Sequence, residues 1–91
     1  MTNLIVEQTF ATPLTDEEHA RVGERLDTCL QAYNARWMRS YLSADRRRMV
    51  CAFEAPDAEA VRASYHSAGV AFDRVWTAEV YVREASVAAV K

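Results

Sequence analysis

The chain has little of what most functional signatures are made from. It has two glycines, Gly23 and Gly69, far apart. No glycine-rich phosphate loop or dinucleotide fingerprint can be built from them. Two cysteines, Cys29 and Cys51, are too few for a disulfide scaffold. Both sit among apolar neighbours and read as small core side chains. Two histidines, His19 and His66, fall on separate segments. No imidazole or thiolate cluster with metal-ligand spacing is visible, and no Ser-His-Asp or Cys-His signature can be recognised. There is no excess of base: eleven Lys and Arg stand against thirteen Asp and Glu, a net charge of −2, which excludes a strongly basic nucleic-acid binder. No apolar run approaches the roughly 18 residues of a membrane span. Met1 to Glu7 carries neither a basic region nor a long apolar region, so it does not read as a signal peptide. The expectation is a cytoplasmic domain with no cofactor, no metal, no nucleic acid and no membrane partner.

What is present is one core's worth of apolar residues, 51% of 91. A chain of this size has little room for a private pocket of roughly 300 Å³ or more, where small-molecule sites begin. Leu4 to Phe10 reads as a strand rich in β-branched residues. Thr15-Asp16-Glu17-Glu18 reads as a capping box. After it, Val22, Leu26, Cys29, Leu30 and Tyr33 recur with helical spacing, giving an amphipathic helix over about 16–34. Ala35 to Ser43 and Arg48 to Ala55 read as strands of one hairpin around a polar turn, with Arg46-Arg47-Arg48 as a solvated basic tip. Asp57 caps a second helix with Val61, Ser64, Tyr65 and Ala68 on one face, and Gly69 suits its C-terminal end. Val75 to Val82 reads as a fourth strand. The order βαββαβ predicts an α+β ferredoxin-like plait. A four-stranded antiparallel sheet carries two helices on one face, in a single domain over 1–82, with a tail at 83–91.

Such a sheet keeps one face bare, and strand alternation indicates which side chains it shows. The consistently apolar sets, among them Leu4, Val6, Met38, Leu42, Met49, Cys51, Phe53, Trp76 and Ala78, are expected under the helices. The bare face is then expected to show Ile5, Glu7, Thr9, Trp37, Arg39, Tyr41, Val50, Ala52, Glu54, Thr77, Glu79 and Tyr81. Aromatics mixed with a few charges suit a ligand pocket or a wet interface better than a solvated surface or a dry core. RNA-recognition domains share the strand order, but they stack bases on aromatics of the first and third strands. Here those strands offer Glu7 and Glu54 instead.

The segments VEQTF, WMRSYLSADRRRMVCAFEAPDAEAVR and AGVAFDRVWTAEV resemble the bacterial domain of unknown function 4242 family over roughly residues 4–82. The resemblance implies a ferredoxin-like plait that dimerises through its sheet faces, in a family that includes nickel-binding members. The histidines those members use fall, by the same resemblance, on Arg39 and near Glu7, Tyr65 and Val70, none of which is His here. The resemblance thus supports fold and dimer and supplies no metal ligand.

The reading that follows is a homodimer, a dimeric α+β barrel-like assembly whose sheet faces enclose a small, partly apolar molecule. Glu7, Arg39, Tyr41 and Glu54 are the candidate catalytic residues for cofactor-free proton transfer of an isomerase or cyclase kind. Thr9, Trp37, Thr77, Glu79 and Tyr81 are the candidate ligand contacts. The alternatives are a non-catalytic protein that binds nickel or a metabolite, and a purely structural dimer held by an ion pair of Arg39 with Glu7 or Glu54.

Overall fold

The computed structural model describes residues 1–83, so the tail expected from 83 onward lies outside the described residues apart from Arg83. The elements are β1 (Thr2–Thr9), α1 (Asp16–Ala32), β2 (Arg36–Leu42), β3 (Arg48–Ala55), α2 (Ala58–Ala68) and β4 (Arg74–Ala78). The strands form one sheet in the order β2-β3-β1-β4, every neighbour antiparallel. This is the βαββαβ ferredoxin-like arrangement.

The helix ends follow from local chemistry. The Thr15 hydroxyl accepts from the Glu18 N–H, and the Glu18 carboxylate accepts from the Thr15 N–H. Those bonds hold the Glu18 carboxyl below the usual carboxylate range. Helix α1 stops at Ala32, two residues short of the sequence reading. Asn34 turns left-handed (φ 59°), and the Ala35 N–H returns to the Leu30 carbonyl at 2.8 Å. Asp57 caps α2 through the Ala60 N–H, and Gly69 ends it at φ 70°, a conformation in which a side chain is strained.

Beneath the helices, Leu4 and Val6 of β1 pack with Met49, Cys51 and Phe53 of β3, with Val75 of β4, and with Leu26, Leu30, Val61 and Tyr65 from above. The core also encloses a polar chain. The Trp37 indole N–H donates to Ser40 Oγ at 2.8 Å, and the Ser40 hydroxyl donates to Cys51 Sγ at 3.0 Å. Burial pushes the Cys51 thiol up, which makes it inert rather than nucleophilic. Tyr65, 1% exposed, places its hydroxyl beside this thiol.

The basic tip is solvated at Arg47 and Arg48, which are exposed, but Arg46 is half-buried. Arg46, left-handed at φ 63°, donates from Nε to the Leu14 carbonyl and from Nη2 to Asp16, both at 2.6 Å. Arg47 reaches the Ala11 carbonyl. The hairpin tip therefore clamps the loop between β1 and α1, a role that side-chain type at a turn does not advertise.

Two strands depart from the expected phase. In β2, Trp37 pairs with Phe53 and Arg39 pairs with Ala52, so Met38 is an extra residue in a bulge. The bulge breaks the alternation. Trp37 lies on the helix side, its ring 5.9 Å from His19 and 5.7 Å from Phe53, whereas Arg39 and Tyr41 stay on the bare side as expected. In β4 the phase is inverted. Val75 pairs with buried Val6, Thr77 with Leu4, and Trp76 with Ile5. Trp76 is thus on the bare face and Thr77 on the helix side. The strand ends at Ala78, so Glu79 and Tyr81 lie beyond it, exposed, and bond to each other.

The bulge gives a direct test. Deleting Met38 removes only the unpaired residue and leaves Trp37 inward and Arg39 outward. The variant is expected to keep the near-UV circular dichroism of the wild type. Loss of that signal would show that Met38 itself sets the position of Trp37.

Candidate functional site

The bare face can be laid out row by row from the pairing register. Across the order β2-β3-β1-β4, one row is Arg36, Glu54, Asn3 and Ala78. The next is Arg39, Ala52, Ile5 and Trp76, and the third is Tyr41, Val50, Glu7 and Arg74. Beyond these, Thr9 faces Arg48. The middle of the face is apolar (Ile5, Val50, Ala52). Tyr41, 61% exposed, and Trp76, 44% exposed, bound it on the two edge strands.

Two ion pairs are formed, Arg36 with Glu54 and Arg74 with Glu7, each at 3.6 Å. Neither involves Arg39, the partner expected for those glutamates. The bulge sets Arg39 opposite Ala52, one row from either carboxylate. Among the described residues Arg39 and Arg48 have no ion pair. The Glu7 carboxylate has a second partner: the Trp76 indole N–H donates to Oε2 at 2.7 Å. A large ring on an edge strand needs somewhere for its N–H, and Glu7 supplies it.

Of the expected catalytic set, Glu7, Arg39, Tyr41 and Glu54 do share the bare face, but they do not converge. Glu7 and Glu54 sit on adjacent strands, four residues out of register. At about 3.3 Å per residue and about 4.8 Å per strand, their backbones are roughly 14 Å apart. Two carboxylates so separated cannot share one substrate proton. Of the expected ligand contacts, Thr9 is on the face, Trp37 and Thr77 are on the other side, and Glu79 and Tyr81 lie past β4. Trp76 is the residue that sequence reasoning missed. An indole in an otherwise apolar alternation was the signal available, since tryptophan is seldom wholly buried.

The donor chemistry for a metal is poor. Among the described residues no three His, Cys, Asp or Glu side chains come together as a metal ion requires. His19 lies edge-on to Trp37, and His66 lies against Phe72 on the other helix. Glu7 already serves Trp76 and Arg74.

A second feature lies on the opposite side of the sheet. A cleft of about 260 Å³ opens between α1, the end of β1 and the turn after α2, lined by Leu14, Val22, Leu26, Trp37, Met49 and Val70 among others. It falls just under the roughly 300 Å³ at which small-molecule sites begin.

The Glu7–Trp76 bond predicts that Glu7→Ala will move the Trp76 indole N–H resonance upfield and lower stability by about 1 kcal/mol. Glu7→Gln keeps an acceptor and should leave the resonance nearly in place. Equal shifts in both variants would show that charge, not the hydrogen bond, holds the ring.

No curated protein matches the chain. Among solved structures, the crystal structure of SCO4226 from Streptomyces coelicolor A3(2) superposes with a TM-score of 0.79. The match covers 88% of this chain and 99% of that one, at 15% sequence identity. At that identity the likeness establishes the shared ferredoxin-like fold. In sequence, the matching family model is described as nickel responsive protein SCO4226-like, rather than by the domain-of-unknown-function name that the resemblance implied, and it spans residues 4–77. On that match, which reaches every strand and takes in both helices, the chain belongs to the SCO4226-like family.

Proposed function

We propose that this chain is a non-catalytic binding protein that works as a homodimer, with two bare sheet faces enclosing a partly apolar anionic ligand. The observation that carries this reading is the charge of that face. Among the paired strand residues, Arg36, Arg39, Arg48 and Arg74 surround the apolar strip against Glu7 and Glu54, in a chain whose net charge is −2. Exposed Trp76 and Tyr41 beside Ile5 and Val50 make the face costly to leave in water. Two such faces pressed together dry would set like charges against each other. An anion between them, held by the unpaired Arg39 and Arg48, removes that conflict and lets the aromatic rings serve as walls. The separation of Glu7 from Glu54 gives proton-transfer chemistry no paired acid and base, so binding is favoured over catalysis.

Sedimentation tests the assembly. Ala52→Arg adds a further positive charge at the middle of the strip, opposite Arg39, and should convert a dimer to a monomer with unchanged far-UV circular dichroism. A wild-type chain that sediments as a monomer at tens of micromolar would overturn the reading.

Family membership favours a second reading, in which nickel is the ligand. The described residues of one chain do not fit it: they bring no three donors together, and the bare face is electropositive. Calorimetric titration with nickel should therefore show no saturable micromolar site. A stoichiometric site that disappears in His19→Ala or His66→Ala would establish the metal reading instead.

A further inference from the structure

We propose that the cleft under α1 is a second binding site, specific for a small monocarboxylic acid with a ring or a short alkyl chain as its body. It lies on the far side of the sheet from the proposed dimer face, and the proposal does not rest on that reading.

The volume sets the size of the guest. A dry apolar cavity of about 150 Å³ is enough to take up benzene. The cleft measures about 260 Å³ and is walled by Leu14, Val22, Leu26, Trp37, Met49 and Val70. It has room for one ring with a substituent, or for a chain of a few carbons, and not for a nucleotide or a sugar phosphate. Its apolar walls are side chains supplied by the loop after β1, by β2, β3 and α1, and by the turn after α2, so the body of the guest is apolar.

The polar groups set the chemistry. Arg25, on α1, lines the cleft. Its Nε donates to the Ala68 carbonyl at 3.3 Å, which ties the guanidinium across the two helices. Its two terminal nitrogens have no partner among the described residues. A guanidinium fixed at Nε with its outer nitrogens free is suited to a carboxylate. The nearby acid, Glu18, is held by the Thr15 backbone N–H at the start of α1. Deeper in, Gln8 is buried and donates its amide to the Ala71 carbonyl at 2.9 Å. Tyr65, another wall residue, has its hydroxyl beside the Cys51 thiol of the core.

Trp37 supplies the readout. Trp76→Phe leaves it as the sole tryptophan of the chain, and its ring lines the cleft. Titrating this variant with benzoate or hexanoate should give a saturable change in Trp37 emission. Benzyl alcohol should bind at least tenfold more weakly, and benzylamine not detectably. Arg25→Ala, at an exposed position, should weaken benzoate about tenfold while leaving benzyl alcohol unchanged. Val22→Phe should fill the mouth and abolish both, with a melting curve confirming that the variant is folded. Ala52→Arg, across the sheet, should change none of these affinities, which separates this site from the dimer face. Emission that saturates with no probe, or benzyl alcohol binding as well as benzoate, would overturn the proposal. So would benzoate affinity unmoved by both Arg25→Ala and Val22→Phe.

Discussion

The antiparallel pairing of β1 with β3 is the constraint from which the rest of the molecule follows. It runs without interruption from Thr2 against Ala55 to Thr9 against Arg48. Residues directly opposite share a face, so this one register sets Leu4 beside Phe53 and Val6 beside Cys51 under the helices. The same register sets Ile5 beside Ala52 and Glu7 beside Val50 on the other side. A slip by one residue would exchange the two faces and bury Glu7. The edge strands take their phase from this pair: Val75 is drawn to Val6, and Ser40 to Cys51. Neither face can be altered without cost to the other, because both are written on the same two strands.

How far the sequence could be read follows from this division into central and edge strands. The central strands alternate cleanly because both their faces are occupied, one by core and one by the mixed strip. Their inward sets, Leu4 with Val6 and Met49 with Cys51 and Phe53, match the structure. The edge strands are under weaker constraint, since one flank of each meets no neighbour. In β2 one bulged residue, Met38, puts two odd-numbered residues, Trp37 and Arg39, on opposite faces, which no alternation rule allows. In β4 the apolar alternation continues through Val80 and Val82, past the end of the strand at Ala78, and points to the wrong phase. The helix caps at Thr15, Asp57 and Gly69 were legible because capping is a local exchange of hydrogen bonds. Arg46 was not, because its partners Leu14 and Asp16 are thirty residues or more away in the chain.

The candidate site was half legible for the same reason. Glu7, Arg39, Tyr41 and Glu54 share the bare face, as the central register and the outer half of β2 require. Their distances do not follow from sharing a face. Acid–base chemistry needs convergence to about 3 Å, and a flat sheet spreads its residues over a grid with spacings fixed by strand geometry. A lone sheet face can therefore bind through many small contacts more readily than it can catalyse through two close ones. The helix side, by contrast, has curvature. The exchange of Trp37 for Trp76 moves one indole from the grid to the cleft and leaves another on the grid, so each side of the sheet has one.

The relation of this chain to nickel turns on charge rather than on fold. A ferredoxin-like scaffold shared with SCO4226 at 15% identity does not specify a ligand. On the bare face the arginines outnumber the glutamates, and both glutamates are engaged with arginine in the chain. By Coulomb's law, a fixed positive charge opposes a divalent cation twice as strongly as it attracts a monoanion at the same distance. Covering the face with a second copy would remove water and strengthen both effects. The charge arrangement proposed to hold an anion between two copies is thus one that opposes a bare metal ion in the same space. The two histidines of the chain, His19 and His66, lie on the helices, on the other side of the sheet.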